Sequence, residues 1–248
     1  MSGFRRTGVM TALAAVCLVP LARAQDMGNG FLFGSPAGSF TVRGGWAVAR
    51  AGSDLFAFTT ERLTLNKRDF SSPSGDLDLA FNINAQTQIV TTASLAMTSK
   101  RSEFRHFIDN NDLPIEQTTN FARVPLTIGI KRYLTPTGRS IGKFAWIPSR
   151  FAPYIGAGGG VMYYRFRQSG DWVDFNTLDV FSDKYESDGW AGTANAEAGV
   201  DYSLSARFAL TGEARYVWAK APLSQDFSDF QKLDLSGFST SIGVTIRY

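Results

Sequence analysis

Residues 237–248 read GFSTSIGVTIRY. Phe238, Thr240, Ile242, Val244, Ile246 and Tyr248 place a large or apolar side chain at every second position. Ser239, Ser241, Gly243, Thr245 and Arg247 fill the positions between with small or polar ones. Successive side chains of a strand point to opposite faces, so this alternation predicts a β-strand with one greasy and one polar side.

The same pattern recurs upstream. Residues 39–49 put Phe40, Val42, Trp46 and Val48 on one face and Thr41, Arg43, Gly45 and Ala47 on the other. Residues 76–84, 89–99, 122–134, 152–166, 190–203 and 207–219 alternate likewise, and the last stretch begins at 235. Connections 50–75, 100–120, 167–188 and 221–234 are long and polar, whereas 84–88 and 204–206 are short. Connection 135–151, with Pro136, Gly138, Gly142 and Pro148, is longer than its place in this rhythm suggests. Gly156, Gly158, Gly159 and Gly160 lie mid-strand with no Lys-Ser/Thr after them, so they read as small strand residues rather than a phosphate loop. Eight strands result, or ten if Leu55–Leu65 (LFAFTTERLTL) forms an extra hairpin within the first connection.

Residues 1–24 read as a secretory signal: Arg5 and Arg6, an apolar run over 9–21, and Ala22-Arg23-Ala24 as an A-x-A cleavage site. Its loss removes three arginines, leaving 22 basic against 22 acidic residues. A near-neutral chain lacks the basic footprint of a nucleic-acid binder. The one cysteine, Cys17, falls inside the signal, so no disulfide framework or His/Cys metal site is available afterwards. No cofactor pattern is present. Beyond residue 24 there is no run of about 20 apolar residues, so a closed barrel is the one route across a membrane. Residues 25–38 form a Gly-rich lead-in with Phe31, Leu32 and Phe33, and 39–248 the barrel domain.

Alternation alone does not say which face points inward. Aromatic residues recur at strand ends (Trp46, Tyr133, Tyr163, Trp190, Tyr202, Tyr216, Trp218, Tyr248), as in an interfacial girdle. The opposite face mixes small residues with charges of both signs, which suits a narrow barrel interior. The expectation is therefore apolar outward.

On these features the chain resembles bacterial outer-membrane β-barrels. Ser241, Gly243, Val244 and the terminal Tyr248 resemble their C-terminal assembly signal, departing at Ile246, where that family usually carries an aromatic. Residues 39–248 resemble the small OmpA-, OmpX- and OmpW-like barrels. The resemblance implies an all-β, antiparallel up-and-down transmembrane barrel, a monomer with both termini in the periplasm. It also implies contact with outer-membrane lipid and lipopolysaccharide, and handling by periplasmic chaperones and the barrel-assembly machinery.

Arg43, Glu197, Asp201, Glu213, Arg215 and Arg247 share the polar face and are expected to form a salt-bridged interior, since buried charge persists only when paired. Such a network fixes the barrel or, alternatively, makes a narrow ion path. Loop aromatics Phe104, Phe107, Trp172, Phe175, Phe181, Phe227 and Phe230 either pack together or meet an extracellular ligand. His106, with Ser99 and Ser102 nearby, raises the weaker alternative of a lipid hydrolase. The leading expectation is a non-enzymatic structural or surface-interaction role through the long loops, with transport of ions or apolar molecules as the alternative.

Overall fold

The computed structural model describes residues 30–109, 112–142, 144–174, 177 and 179–248. The signal segment with Ala22 and Ala24, and most of the lead-in, lie outside the described residues.

Eight antiparallel strands form the wall: β1 (Gly38–Ala49), β2 (Ser72–Asn84), β3 (Thr87–Ile108), β4 (Pro114–Tyr133), β5 (Phe151–Val173), β6 (Val180–Ser203), β7 (Phe208–Ala221) and β8 (Gly237–Arg247). Each pairs with the next in sequence. The final strand returns to the first, with Ile246 opposite Phe40 and Val244 opposite Val42, so the sheet closes on itself and has no edge. No helix among the described residues is long and apolar enough to cross a membrane; the crossing elements are strands.

The alternation resolves into an outside and an inside. Ile242 (68 % exposed), Ile128 (60 %), Leu77, Leu95, Val161 and Val244 point out, while Thr41, Arg43, Asp78, Thr127, Lys131 and Glu213 are buried within. In water such an exterior would be unstable. In hydrocarbon it is the required surface, because every wall N–H and C=O is spent within the closed ladder. Trp46, Trp190 and Trp218 stand exposed on the outer face near the long-loop end, and Tyr202 and Tyr248 near the other. Tyr133 is a correction: it is buried inside, because it keeps the inward parity of Lys131, and its hydroxyl donates to Asp201.

The long connections are more ordered than their polarity suggests. β3–β4 and β5–β6 run on as paired ribbons well past the aromatic level, through Glu103↔Glu116 and Val173↔Val180. The first connection contains a helix, α1 (Asp54–Arg62), rather than an extra hairpin, so the barrel has eight strands and not ten. Its buried residues are Leu55, Phe56 and Thr59. That is an i, i+1, i+4 face, which a helix presents on one side and a strand would split between two. Asp54 Oδ1 accepts the Leu55 N–H at the positive N-terminus and Arg62 sits in the last turn, both favourable to the helix dipole.

At the short-turn end, connection 135–151 folds into two short strands, Gly138–Ile141 and Ala145–Pro148, joined by Leu32–Phe33 of the lead-in as a small separate sheet. This accounts for its length.

Candidate functional site

The interior is stacked in three levels. The lowest, near the short turns, is uncharged apart from Asp201 and Arg247. Thr211 Oγ1 donates to Asp201 Oδ1 at 2.7 Å, Tyr133 OH donates to Oδ2 at 2.7 Å, and Thr245 Oγ1 bridges Thr211 (2.6 Å) and Thr41 (2.8 Å). Arg247 Nη2 donates to Ser203 Oγ at 2.9 Å, and its guanidinium lies 5.6 Å from the Trp146 ring centroid. A cavity of about 10 Å³ among these groups is at the lower limit for one water.

The middle level is ionic. Arg43, on β1, makes a two-pronged contact with Asp78 on β2: Nη1 lies against Oδ2 and Nη2 donates to Oδ1 at 3.1 Å. The same Nη2 donates to Glu213 Oε1 at 3.1 Å, and Nε donates to Ser241 Oγ at 3.2 Å. Lys131 Nζ stands 3.8 Å from Asp78 and 3.7 Å from Glu213, over the Tyr154 ring at 4.2 Å. Arg215 Nη2 lies 2.8 Å from Glu213 and 3.0 Å from Glu197. Those Arg215 approaches miss hydrogen-bond angles, so the attraction there is ionic rather than directional. Tyr154 OH donates to Glu213 Oε2 at 2.8 Å, and Thr92 Oγ1 to Asp78 Oδ1 at 2.9 Å. In these ion pairs three cations meet three carboxylates, with Glu213 and Asp78 each within 3.9 Å of all three cations; Asp76, opposite Arg43 on β2, is a further buried carboxylate.

Gly156 makes room for this arrangement. A Cβ there would fall 2.8 Å from Glu197 Oε1 and 2.9 Å from Cγ, so the bare strand lets the carboxylate lie across β5 toward Arg215.

The top level is apolar. Phe56 of α1, wholly buried, meets Phe70, Phe121 and Phe166 edge-on at 4.6, 5.4 and 5.7 Å. Leu55, Met162, Leu233 and Leu235 complete a core in the mouth of the barrel. Arg123, with Nη1 donating to Leu235 O at 3.2 Å and its guanidinium 5.4 Å from the Phe121 ring, joins this core to the ionic level. Above it the loop aromatics touch one another in sequence: Phe107, Phe104, Trp172, Tyr185, Phe227 and Phe230. Phe181 remains partly exposed, and Phe175 lies outside the described residues.

Of the interior residues expected from sequence, Arg43, Glu197, Glu213 and Arg215 come together, while Asp201 and Arg247 occupy the lower level. Asp78 and Tyr154 are not among those expected residues, although alternation with the outward Leu77, Leu79 and Ile155 turns both inward. Lys131 shares the inward parity of Gly129 and meets Asp78 and Glu213. In β8, Ser241 and Gly243 face in, with Ser241 on Arg43; Val244, Ile246 and Tyr248 face out. His106 is exposed near the β3–β4 tip in a left-handed conformation (φ +65°), whereas Ser102 is buried and turned toward Gln117 O. Among the described residues no cluster of three or more His, Cys, Asp or Glu side chains is arranged to hold a metal.

The chain has the fold of a small outer-membrane β-barrel. Among solved structures it is similar to OprG of Pseudomonas aeruginosa (17 % identity, 87 % of this chain and 98 % of that one, TM-score 0.49). It is also similar to Ail, the attachment invasion locus protein of Yersinia pestis (15 %, 85 % and 99 %, TM-score 0.43), and to the outer-membrane protease OmpT of Escherichia coli (10 %, 90 % and 99 %, TM-score 0.32). The sequence matches no protein-family model and no curated protein.

Proposed function

We propose that this chain is a monomeric, non-enzymatic protein of the bacterial outer membrane, exported by the signal at residues 1–24, with a structural or surface-interaction role. Both termini lie in the periplasm and the long hairpins outside the cell. The observation that carries this reading is that the interior is sealed twice, by a neutral ionic level and by an aromatic plug. The parts left to meet a partner are the projecting β3–β4 and β5–β6 ribbons and the lipid-facing wall. Lipid and lipopolysaccharide surround that wall, and the outward Val244, Ile246 and Tyr248 present the C-terminal signal to chaperones and the assembly machinery. The test is conductance in planar bilayers: purified protein is expected to give no discrete steps. Regular steps whose size changes in Glu213→Gln would overturn the sealed-lumen reading.

A second reading, passage of a small apolar molecule through the wall, rests on one feature. The β3–β4 pairing skips from Ala93↔Leu126 to Ala96↔Arg123, where Pro125 has no N–H to give. A cavity of about 40 Å³ lies behind the gap, lined by Leu95, Pro125, Met162 and Phe238 and also by the charged Asp76, Arg123 and Arg215. Cysteines at Leu95 and Val124 test it: uptake of an apolar dye into vesicles should stop on oxidation and return on reduction. Uptake indifferent to the bridge would sink this route.

A further inference from the structure

The two ends of the barrel differ sharply in charge. Segments 50–75, 99–121, 165–188 and 220–236, at the long-loop end, carry twelve basic and sixteen acidic residues. Segments 30–41, 79–91, 130–154, 202–212 and 245–248, at the short-turn end, contain seven basic residues and no acidic one, the acids at their margin, Asp78 and Asp201 opposite Thr41 and Thr211, being buried in the lumen. Of those seven, Lys131 and Arg247 are buried in the lumen, and Lys143 lies outside the described residues. Arg132, Arg139 and Arg150 are exposed and Arg207 half-buried.

The guanidinium groups of Arg132 and Arg150 meet neutral partners. Arg132 Nη1 donates to Thr87 Oγ1 at 2.6 Å, and Arg150 Nε donates to Tyr202 OH at 3.0 Å. Such bonds orient a guanidinium without neutralising it. The cations stand among outward apolar residues. Arg132 lies between Ile130 and Leu134, and Arg150 beside Phe151 and over the Tyr202 ring at 5.6 Å. Phe33 (85 % exposed), Phe144 (73 %) and Ile141 project from the small sheet on the same end. Charged heads on apolar stems, interleaved with rings, match the depth where acyl chains meet headgroups.

We propose that this rim is a docking surface for anionic phospholipid headgroups of the inner leaflet, with the projecting Phe33, Ile141 and Phe144 seated among the headgroups. The proposal rests on the orientation given above. Phospholipid is favoured over a soluble polyanion because Arg132 and Arg150 stand among the outward apolar Ile130, Leu134 and Phe151, and the exposed Phe33, Ile141 and Phe144 project beside them, a mixture that suits the edge of a lipid layer rather than a free polymer. Each cation near an anionic surface is worth about a fivefold gain in affinity, so three exposed arginines amount to about a hundredfold preference.

The test is native mass spectrometry of the full-length barrel in detergent, titrated with phosphatidylglycerol or phosphatidylcholine. Wild type is expected to retain phosphatidylglycerol about a hundredfold more strongly. Arg132→Gln/Arg139→Gln/Arg150→Gln should lose that preference while still migrating as a folded barrel on unheated gels, and Arg101→Gln/Lys184→Gln, at the other end, should keep it. Equal retention of both lipids overturns the proposal, as does a triple variant that still prefers phosphatidylglycerol. Soluble heparin that displaces the lipid at equal phosphate or sulfate concentration would also overturn it, reassigning the rim to a polymer. Protease shaving of intact cells reads orientation separately. If the short turns are cut from outside, the topology fails, whatever the lipid preference in detergent.

Discussion

Replacing Glu213 by glutamine removes one negative charge from the centre of the ionic level while keeping its shape. Arg43 retains its two-pronged hold on Asp78, and the amide oxygen still accepts from Tyr154 OH, so no donor is orphaned outright. The loss falls on balance: of their ion-pair partners, Arg43, Lys131 and Arg215 then keep only Asp78 and Glu197. Removing one partner of a buried ion pair costs about 3–5 kcal/mol, and the retained hydrogen bonds place this case near the lower end, about 3 kcal/mol. Adding Lys131→Met restores neutrality, since Lys131 is held only by longer contacts of 3.7 and 3.8 Å to carboxylates. The double variant should therefore regain about 1–2 kcal/mol over Glu213→Gln, a coupling within the range for contacting residues. Urea titration of the barrel in lipid vesicles, read by loss of the compact band on unheated gels, measures both numbers. Glu213→Gln as stable as wild type, or a double variant whose losses simply add, would refute the view that charge balance holds this level together.

Three further outcomes follow from the same geometry. Phe56→Ala empties the centre of the plug and should lower stability by about 3–4 kcal/mol in the same titration; it should not produce conductance steps, because the ionic level beneath stays closed. Gly156→Ala brings a methyl group against Glu197 and should displace that carboxylate from Arg215, costing about 1–3 kcal/mol. A Gly156→Ala/Glu197→Ala double variant should be less destabilised than the sum of its singles. On the β5–β6 ribbon, outside the wall, a hydrogen bond from Lys184 holds the Glu186 carboxyl below its ordinary 4.5, aided by Arg165 and Arg167. A depressed folded value means the contribution is full above the ordinary value and fades as pH falls through the folded one. Protection factors of the ribbon amides, which already allow for the slower intrinsic exchange in acid, should therefore fall below about pH 4.5 in wild type and lose that response in Glu186→Gln.

The barrel was legible because its wall obeys a strictly local rule. A closed sheet between hydrocarbon and a packed lumen forces a period of two on every strand, and that period is visible in Phe40–Val48 or Phe238–Tyr248 without any knowledge of neighbours. The same rule carried the inward placement of Arg43, Glu197, Glu213 and Arg215. It also turns Asp78 inward between Leu77 and Leu79, but the period of two gives only its side and not the Arg43 it meets there. Tyr133 has the residue type of a girdle aromatic but the parity of an interior one, and parity decides, because Asp201 inside accepts its hydroxyl.

By itself the sequence determined the two faces of each wall strand and the need for charges of both signs within the lumen, and it left the strand count at eight or ten. Which charge meets which was decided only by closure. Strand stagger around the ring brings Asp78 of β2 to Arg43 of β1, and both to Glu213 of β7, residues far apart in the chain. Tertiary structure likewise decided that Leu55–Leu65 seals the mouth instead of lengthening the wall. That segment's alternation is compatible with a strand, and its helical face becomes useful only when a ring of Phe70, Phe121 and Phe166 is there to receive Phe56.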